Sequence, residues 1–290
     1  MTIQEAADQR YKRIHQLMEW RRYEEARKEA KALLQADPDD ADGYAMLALV
    51  CLRLSEHDEA LRWSSEALGR DPENKLGWHV RTSAYYETGK WKAMSESLEA
   101  AQRIDPYEPY YFFLKANSLN RIGRFDQAKE ELLRGLELAP DNPLFLAALS
   151  YTEALLGDAV RSRELARQAL EQETENDTVF LYLGWAADQR NDFDEQLLML
   201  SSAIRLDPND KQVREQYLEA LQKSYKFYRI LLAPVNLLKR LKPWQILLSW
   251  FLAWVIFKPL VVVFIILYVL THWATKLLVH VKVFGWRRSG

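Results

Sequence analysis

The chain has 290 residues, is 49% hydrophobic and carries a formal net charge of −2. That near-neutrality hides a segregation, because residues 223–290 hold 11 Lys/Arg and no acid while residues 1–222 hold the other 28 Lys/Arg against all 41 Asp/Glu. An acidic body argues against nucleic acid as a partner, since that binding needs clustered positive charge. The single cysteine, Cys51, excludes an internal disulfide framework.

The N-terminus, "MTIQEAADQR", lacks a basic region followed by an apolar run, so no signal peptide is expected. From there a fixed period takes over. "ADPDD", "RDPEN", "IDPYE", "APDNP" and "LDPND" place prolines at Pro38, Pro72, Pro106, Pro140 and Pro208. The first four are 34 residues apart and the last gap is 68, with the missing beat at Thr174. Six units therefore run from about Ala7 to Asp210. Tyr44, Trp78, Phe112, Leu146 and Phe180 mark the start of each unit's first helix. Ala48, Thr82, Ala116, Ser150 and Gly184 follow four residues later on the same face. Gly89, Gly123 and Gly157 fall at the turn within a unit. Ala67, Ala101, Gly135, Ala169 and Ala203 let the second helix approach its neighbour closely.

This beat of helix, glycine-rich turn, helix and proline resembles the tetratricopeptide repeat over residues 7–210. The resemblance implies an all-α, right-handed α-solenoid of about six helix-turn-helix repeats. Met94, Ser162 and Gln196 depart from it by replacing the expected alanine, and Glu153 stands where a bulky residue is usual. Lys211 to about Tyr228 reads as a polar capping helix that closes a first domain, residues 1–228.

No phosphate-binding glycine loop, nucleophile elbow or zinc-helix motif occurs, and the five histidines show no zinc spacing, so neither an enzyme nor a cofactor or metal site is expected. The resemblance instead places the functional surface on the concave side, lined by each unit's first helix. Helical stepping selects Tyr11 and His15, Leu49, His79 and Tyr86, Phe113 with Asn117 and Asn120, then Tyr151 and Trp185. This lining reads as aromatic and neutral. The asparagine amides suit a peptide backbone and the aromatics suit side-chain pockets, so the expected partner is a peptide segment or helix of another protein. The family's clamp for the acidic C-termini of chaperones does not carry over: Tyr11, His15, Met46, Leu76 and Val80 stand at its lysine, asparagine and arginine positions.

Residues 229–243 mix leucine with Arg229, Lys239, Arg240 and Lys242, as in a helix lying among lipid headgroups. Between Trp244 and Thr275 the only charge is Lys258. A single span would bury Lys258 and Pro259 in hydrocarbon, where lysine costs about 2.5–3.5 kcal/mol. A hairpin is preferred: Trp244–Phe257 enters, Lys258 and Pro259 turn at the far interface, and Leu260–Thr275 returns. Basic residues on both flanks keep both ends in the cytoplasm. Such tails resemble those of bacterial tetratricopeptide membrane proteins, with residues 244–290 in the lipid bilayer of the plasma membrane. The expected task is to recruit a protein to that membrane. Homo-oligomerisation into a coat, or service as an accessory subunit of a membrane enzyme or translocase, are the alternatives.

Overall fold

A computed structural model of the chain describes residues 3–172, 175–208, 210–223, 251 and 258–284. The amphipathic segment 229–243 and, Phe251 apart, the proposed entering arm Trp244–Phe257 lie outside the described residues, as does Thr174.

Every described element is a helix. The first helices of the repeats are α1 (Ile3–Glu19), α3 (Ala41–Arg53), α5 (Lys75–Glu87), α7 (Pro109–Arg121), α9 (Pro143–Leu156) and α11 (Asp177–Gln189). The second helices are α2 (Tyr23–Ala36), α4 (His57–Arg70), α6 (Trp91–Ile104), α8 (Phe125–Leu138), α10 (Ala159–Leu170) and α12 (Phe193–Leu206). α13 (Lys211–Lys223) follows where a cap is expected, and α14 (Lys258–Phe284) lies in the tail. From α3 onward the first helices begin three residues earlier than the aromatic beat places them.

The reason is a cap. Asp40 accepts from the amide of Gly43, Asn74 from Gly77, Glu108 from Tyr110, Asn142 from Leu144, Asn176 from Thr178 and Asp210 from Val213. These six side chains recur every 34 residues, and each satisfies a first-turn amide that would otherwise lack an acceptor. The turn inside each unit repeats as strictly. Arg21, Ser55, Gly89, Gly123, Gly157 and Asn191 all have φ between +55° and +90°. Three are glycines, which adopt this left-handed backbone without strain.

The chain divides into two compact units, residues 1–140 and 141–290. In unit 1, α1 to α8 pack each against the next, and α3 also against α5. Its core joins Ile14, Leu17, Leu33, Leu47, Val50 and Val80, with alanines at the helix crossings. In unit 2, α9 packs on both α10 and α11, α11 on α12, α12 on α13, and α13 on α14. Leu181, Leu200, Ala203, Val213 and Ala220 form its core cluster.

The departures from the repeat pattern are all buried, and Ser162 among them is matched by hydrogen bonds. Met94 and Ser162 are fully buried, Gln196 is 2% exposed and Glu153 3%. Ser162 donates to the carbonyl of Ser150, and Ser150 to that of Ser162, both at 2.7 Å. Arg190, its side chain only 1% exposed, donates to the Ser162 hydroxyl and pairs with Glu195 at 2.6 Å. In unit 1 Thr82 and Ser97 share a hydrogen bond of 2.8 Å at the equivalent crossing. Hydroxyls thus enter the crossings in bonded pairs, which is what burial of polar groups demands. Among the described residues no helix is long and apolar enough to cross a membrane.

Candidate functional site

In unit 1 a cavity of about 870 Å³ opens between α1, the C-terminal end of α2, α3 and α5. Ala7, Tyr11, Met46 and Leu76 give it apolar walls. Asp8, Asp37, Asp40 and Asp42 line it with carboxylates, and Arg10, Lys12 and His15 with basic groups. Arg10 is engaged elsewhere, with Glu29 at 2.8 Å. The N-terminal end of this surface is therefore charged and leans acidic, not neutral as the aromatic stepping implied.

Asp40 organises the site. While one of its oxygens caps α3, the other accepts the Tyr11 hydroxyl at 2.6 Å. Burial, that hydrogen bond and the charges of Asp40, Asp42 and Asp37 push the Tyr11 phenol far above its ordinary value, so it stays a neutral donor. Asp42 is held by the Asn74 amide at 2.7 Å. Two cap residues, one repeat apart, thus fix two of the four carboxylates that line the cavity, Asp40 being one cap itself and Asn74 holding Asp42.

A second cluster lies along α5 and α7. The His79 ring is 5.0 Å from that of Tyr110, which stacks on Phe113 at 5.7 Å. Burial holds His79 below the usual histidine range, leaving it neutral, and pushes Tyr110 up to about 12. Phe113 is only 3% exposed, so it forms the wall behind the groove and offers a partner little surface. Tyr86 is half-buried and turns edge-on to Trp91 at 5.8 Å. Leu49 packs against the core of unit 1. Asn117 and Asn120 are both half-buried, and the Asn117 side-chain nitrogen is buried with no hydrogen-bond partner among the described residues.

Unit 2 carries its own cluster. The rings of Tyr151 and Trp185 are 5.7 Å apart, and Tyr182 meets Trp185 at 4.9 Å. Tyr151 and Trp185 are half-buried and Tyr182 is 4% exposed. Burial, then the charge of Asp188, raises the Tyr151 phenol. Lys258 and Pro259 open α14, and their side chains lie outside the described residues. Sequence reasoning missed Asp40, Asp42, Tyr110 and Tyr182. The 34-residue recurrence of Asp, Asn or Glu at the caps was the available signal for the first. Tyr110 and Tyr182 lie next to residues the stepping did select. Among the described residues no group of His, Cys, Asp and Glu could hold a metal ion.

The sequence profile described as "Tetratricopeptide repeat" matches residues 11–75 and 113–178. The tetratricopeptide repeat is thus matched over those two stretches. Cellulose synthase 1 operon protein C of Komagataeibacter xylinus is 26% identical over 208 residues, which is 67% of this chain and 16% of that protein. Cellulose synthase operon protein C of Komagataeibacter sucrofermentans is 24% identical over the same extent. The chain thus spans 16% of the length of these curated relatives. Among solved structures, the chain resembles that of the Cut9–Hcn1 hetero-tetramer with a TM-score of 0.59 and 16% identity, over 71% of this chain and 40% of that one. It resembles Pseudomonas aeruginosa pilF with a TM-score of 0.55 and 21% identity, over 74% and 98%. A tetratricopeptide repeat protein from Parabacteroides merdae gives 0.58 at 12% identity, over 70% and 80%. At these identities the likeness concerns the fold alone.

Proposed function

We propose that this protein is an adaptor that takes a segment of a protein partner on the first helices of its repeats and is held at a membrane by its tail. The cavity between α1, α3 and α5 carries the first half, because it joins apolar walls to fixed hydrogen-bonding groups, the combination that gives a site both affinity and orientation. Tetratricopeptide repeats mediate protein–protein interaction.

The second half is supported by composition and by α14, on which Ile266, Leu270, Trp273 and Leu277 among others stand exposed. In this reading Lys258 and Pro259 mark the turn of the tail, the repeats face the cytoplasm, and the membrane is a bacterial plasma membrane. Anchoring raises the local concentration of a weakly bound partner. A second reading, as an accessory subunit of a membrane enzyme, is favoured by the operon named in the curated relatives. Cell fractionation tests the membrane half: the full chain should sediment with membranes, and deletion of residues 229–290 should release it to the soluble fraction. A full chain that stays soluble would sink this half of the proposal.

A further inference from the structure

α14 has two unlike sides. Thr275 is fully buried and Val279 is 2% exposed, while Tyr268, Thr271 and His272 are half-buried. Positions 268, 271, 272, 275 and 279 share one face at helical spacing. This stripe carries no unmet donor at its centre, because the Thr275 hydroxyl donates back to the Thr271 carbonyl at 2.8 Å. The rings of Tyr268 and His272 lie 6.4 Å apart. The described helix that α14 packs against is α13, in the same unit. Around the rest of its circumference Ile266 is 53% exposed, Leu270 60%, Trp273 71% and Leu277 65%. An apolar strip of that length is rare on a protein surface unless something covers it.

Charge selects the cover. Residues 223–290 carry 11 Lys/Arg and no acid, and Lys276 stands exposed on α14 itself. A second copy would bring an equally basic tail against the first, and the like charges would oppose the contact. Anionic headgroups complement it instead, and attract each nearby Lys or Arg by about 1 kcal/mol.

We propose that α14 is a monotopic anchor: its Tyr268–Val279 stripe stays seated on α13 while the opposite face lies in a leaflet rich in anionic lipid. This rests on the membrane reading above and adds to it which face meets lipid and which headgroups are selected. Because α13 directly follows the last repeat, unit 2 would rest on the bilayer surface and not swing from a tether.

The test uses the full chain with Cys51→Ala and one new thiol, Leu270→Cys, Leu277→Cys or Thr275→Cys, delivered from mild detergent. Reaction with a charged maleimide is followed without vesicles, with phosphatidylcholine vesicles, and with vesicles that also contain phosphatidylglycerol. The 270 and 277 thiols should react readily in solution and be protected on anionic vesicles, with at least about tenfold weaker binding to neutral ones. The 275 thiol should stay unreactive throughout. A 275 thiol as reactive as the others would show that the stripe is not seated on α13. Equal binding to neutral and anionic vesicles would overturn the headgroup selection and leave the membrane reading standing. No binding to either vesicle would overturn both, and a concentration-dependent dimer that protects 270 and 277 without lipid would put a second copy in the leaflet's place.

Discussion

The left-handed residue in each turn makes a prediction of opposite signs at equivalent positions. Ser55 sits at φ +60° and Gly123 at +76°, two repeats apart in the same turn. A non-glycine residue there costs about 1–2 kcal/mol, while a glycine costs about 0.5–1 kcal/mol more to order from the unfolded chain. Ser55→Gly should therefore stabilise by roughly 0.5–1 kcal/mol. Gly123→Ala should destabilise by a similar amount. A methyl there would meet nothing within 4 Å, so no clash or new contact blurs the comparison. Repeat proteins unfold in neighbouring blocks, so a single melting curve is an insufficient readout. Amide exchange should show slower opening of α3 and α4 in Ser55→Gly and faster opening of α7 and α8 in Gly123→Ala. A destabilised Ser55→Gly, or a Gly123→Ala that leaves exchange unchanged, would refute the idea that this backbone conformation sets the turn.

Other consequences follow from single side chains. Asp40→Ala should cost about 0.5–2 kcal/mol by uncapping α3 and free the Tyr11 hydroxyl, whereas Asp40→Asn should keep most of the cap; urea denaturation and the Tyr11 phenol titration separate the two effects. Arg190→Met should cost about 3 kcal/mol, because it leaves the half-buried Glu195 without its cation and removes the donor to the Ser162 hydroxyl. The double change of Arg190 and Glu195 to methionine should recover much of that loss in the same denaturation assay. His79 is held below its unfolded value of about 6.5, so the unfolded chain binds its proton first. Its contribution is complete above that pH and is lost as pH falls through the window down to the folded value. Stability measured against pH should decline less steeply in that window for His79→Phe.

Much of the fold was legible because the repeat constrains several kinds of residue at once. Five prolines, three turn glycines and the small crossing residues fell on one 34-residue beat, so helix order and length followed. Helix starts came out three residues late because the aromatic at Tyr44 or Trp78 closes the first turn, whereas the helix begins directly after its cap. The candidate site was legible only in outline. Helical stepping identifies which residues share a face, but not how deeply neighbouring helices bury them. Phe113 and Tyr86 show this: one lies in the wall and the other turns to Trp91. The acidic character near Tyr11 is hidden in the sequence because Asp40 and Asp42 belong to the cap and first turn of one repeat yet line a cavity with α1 of the previous one.

The most direct test of the adaptor claim places a photo-crosslinking residue at His15, which lines the cavity, and in a second strain at Glu66, on α4 outside it. Each is run in cells with and without residues 229–290. The account predicts one discrete adduct from His15, none of that size from Glu66, and loss of the adduct when the tail is removed. Equal adducts from both positions, or a self-adduct alone, would contradict a partner held in the groove at a membrane.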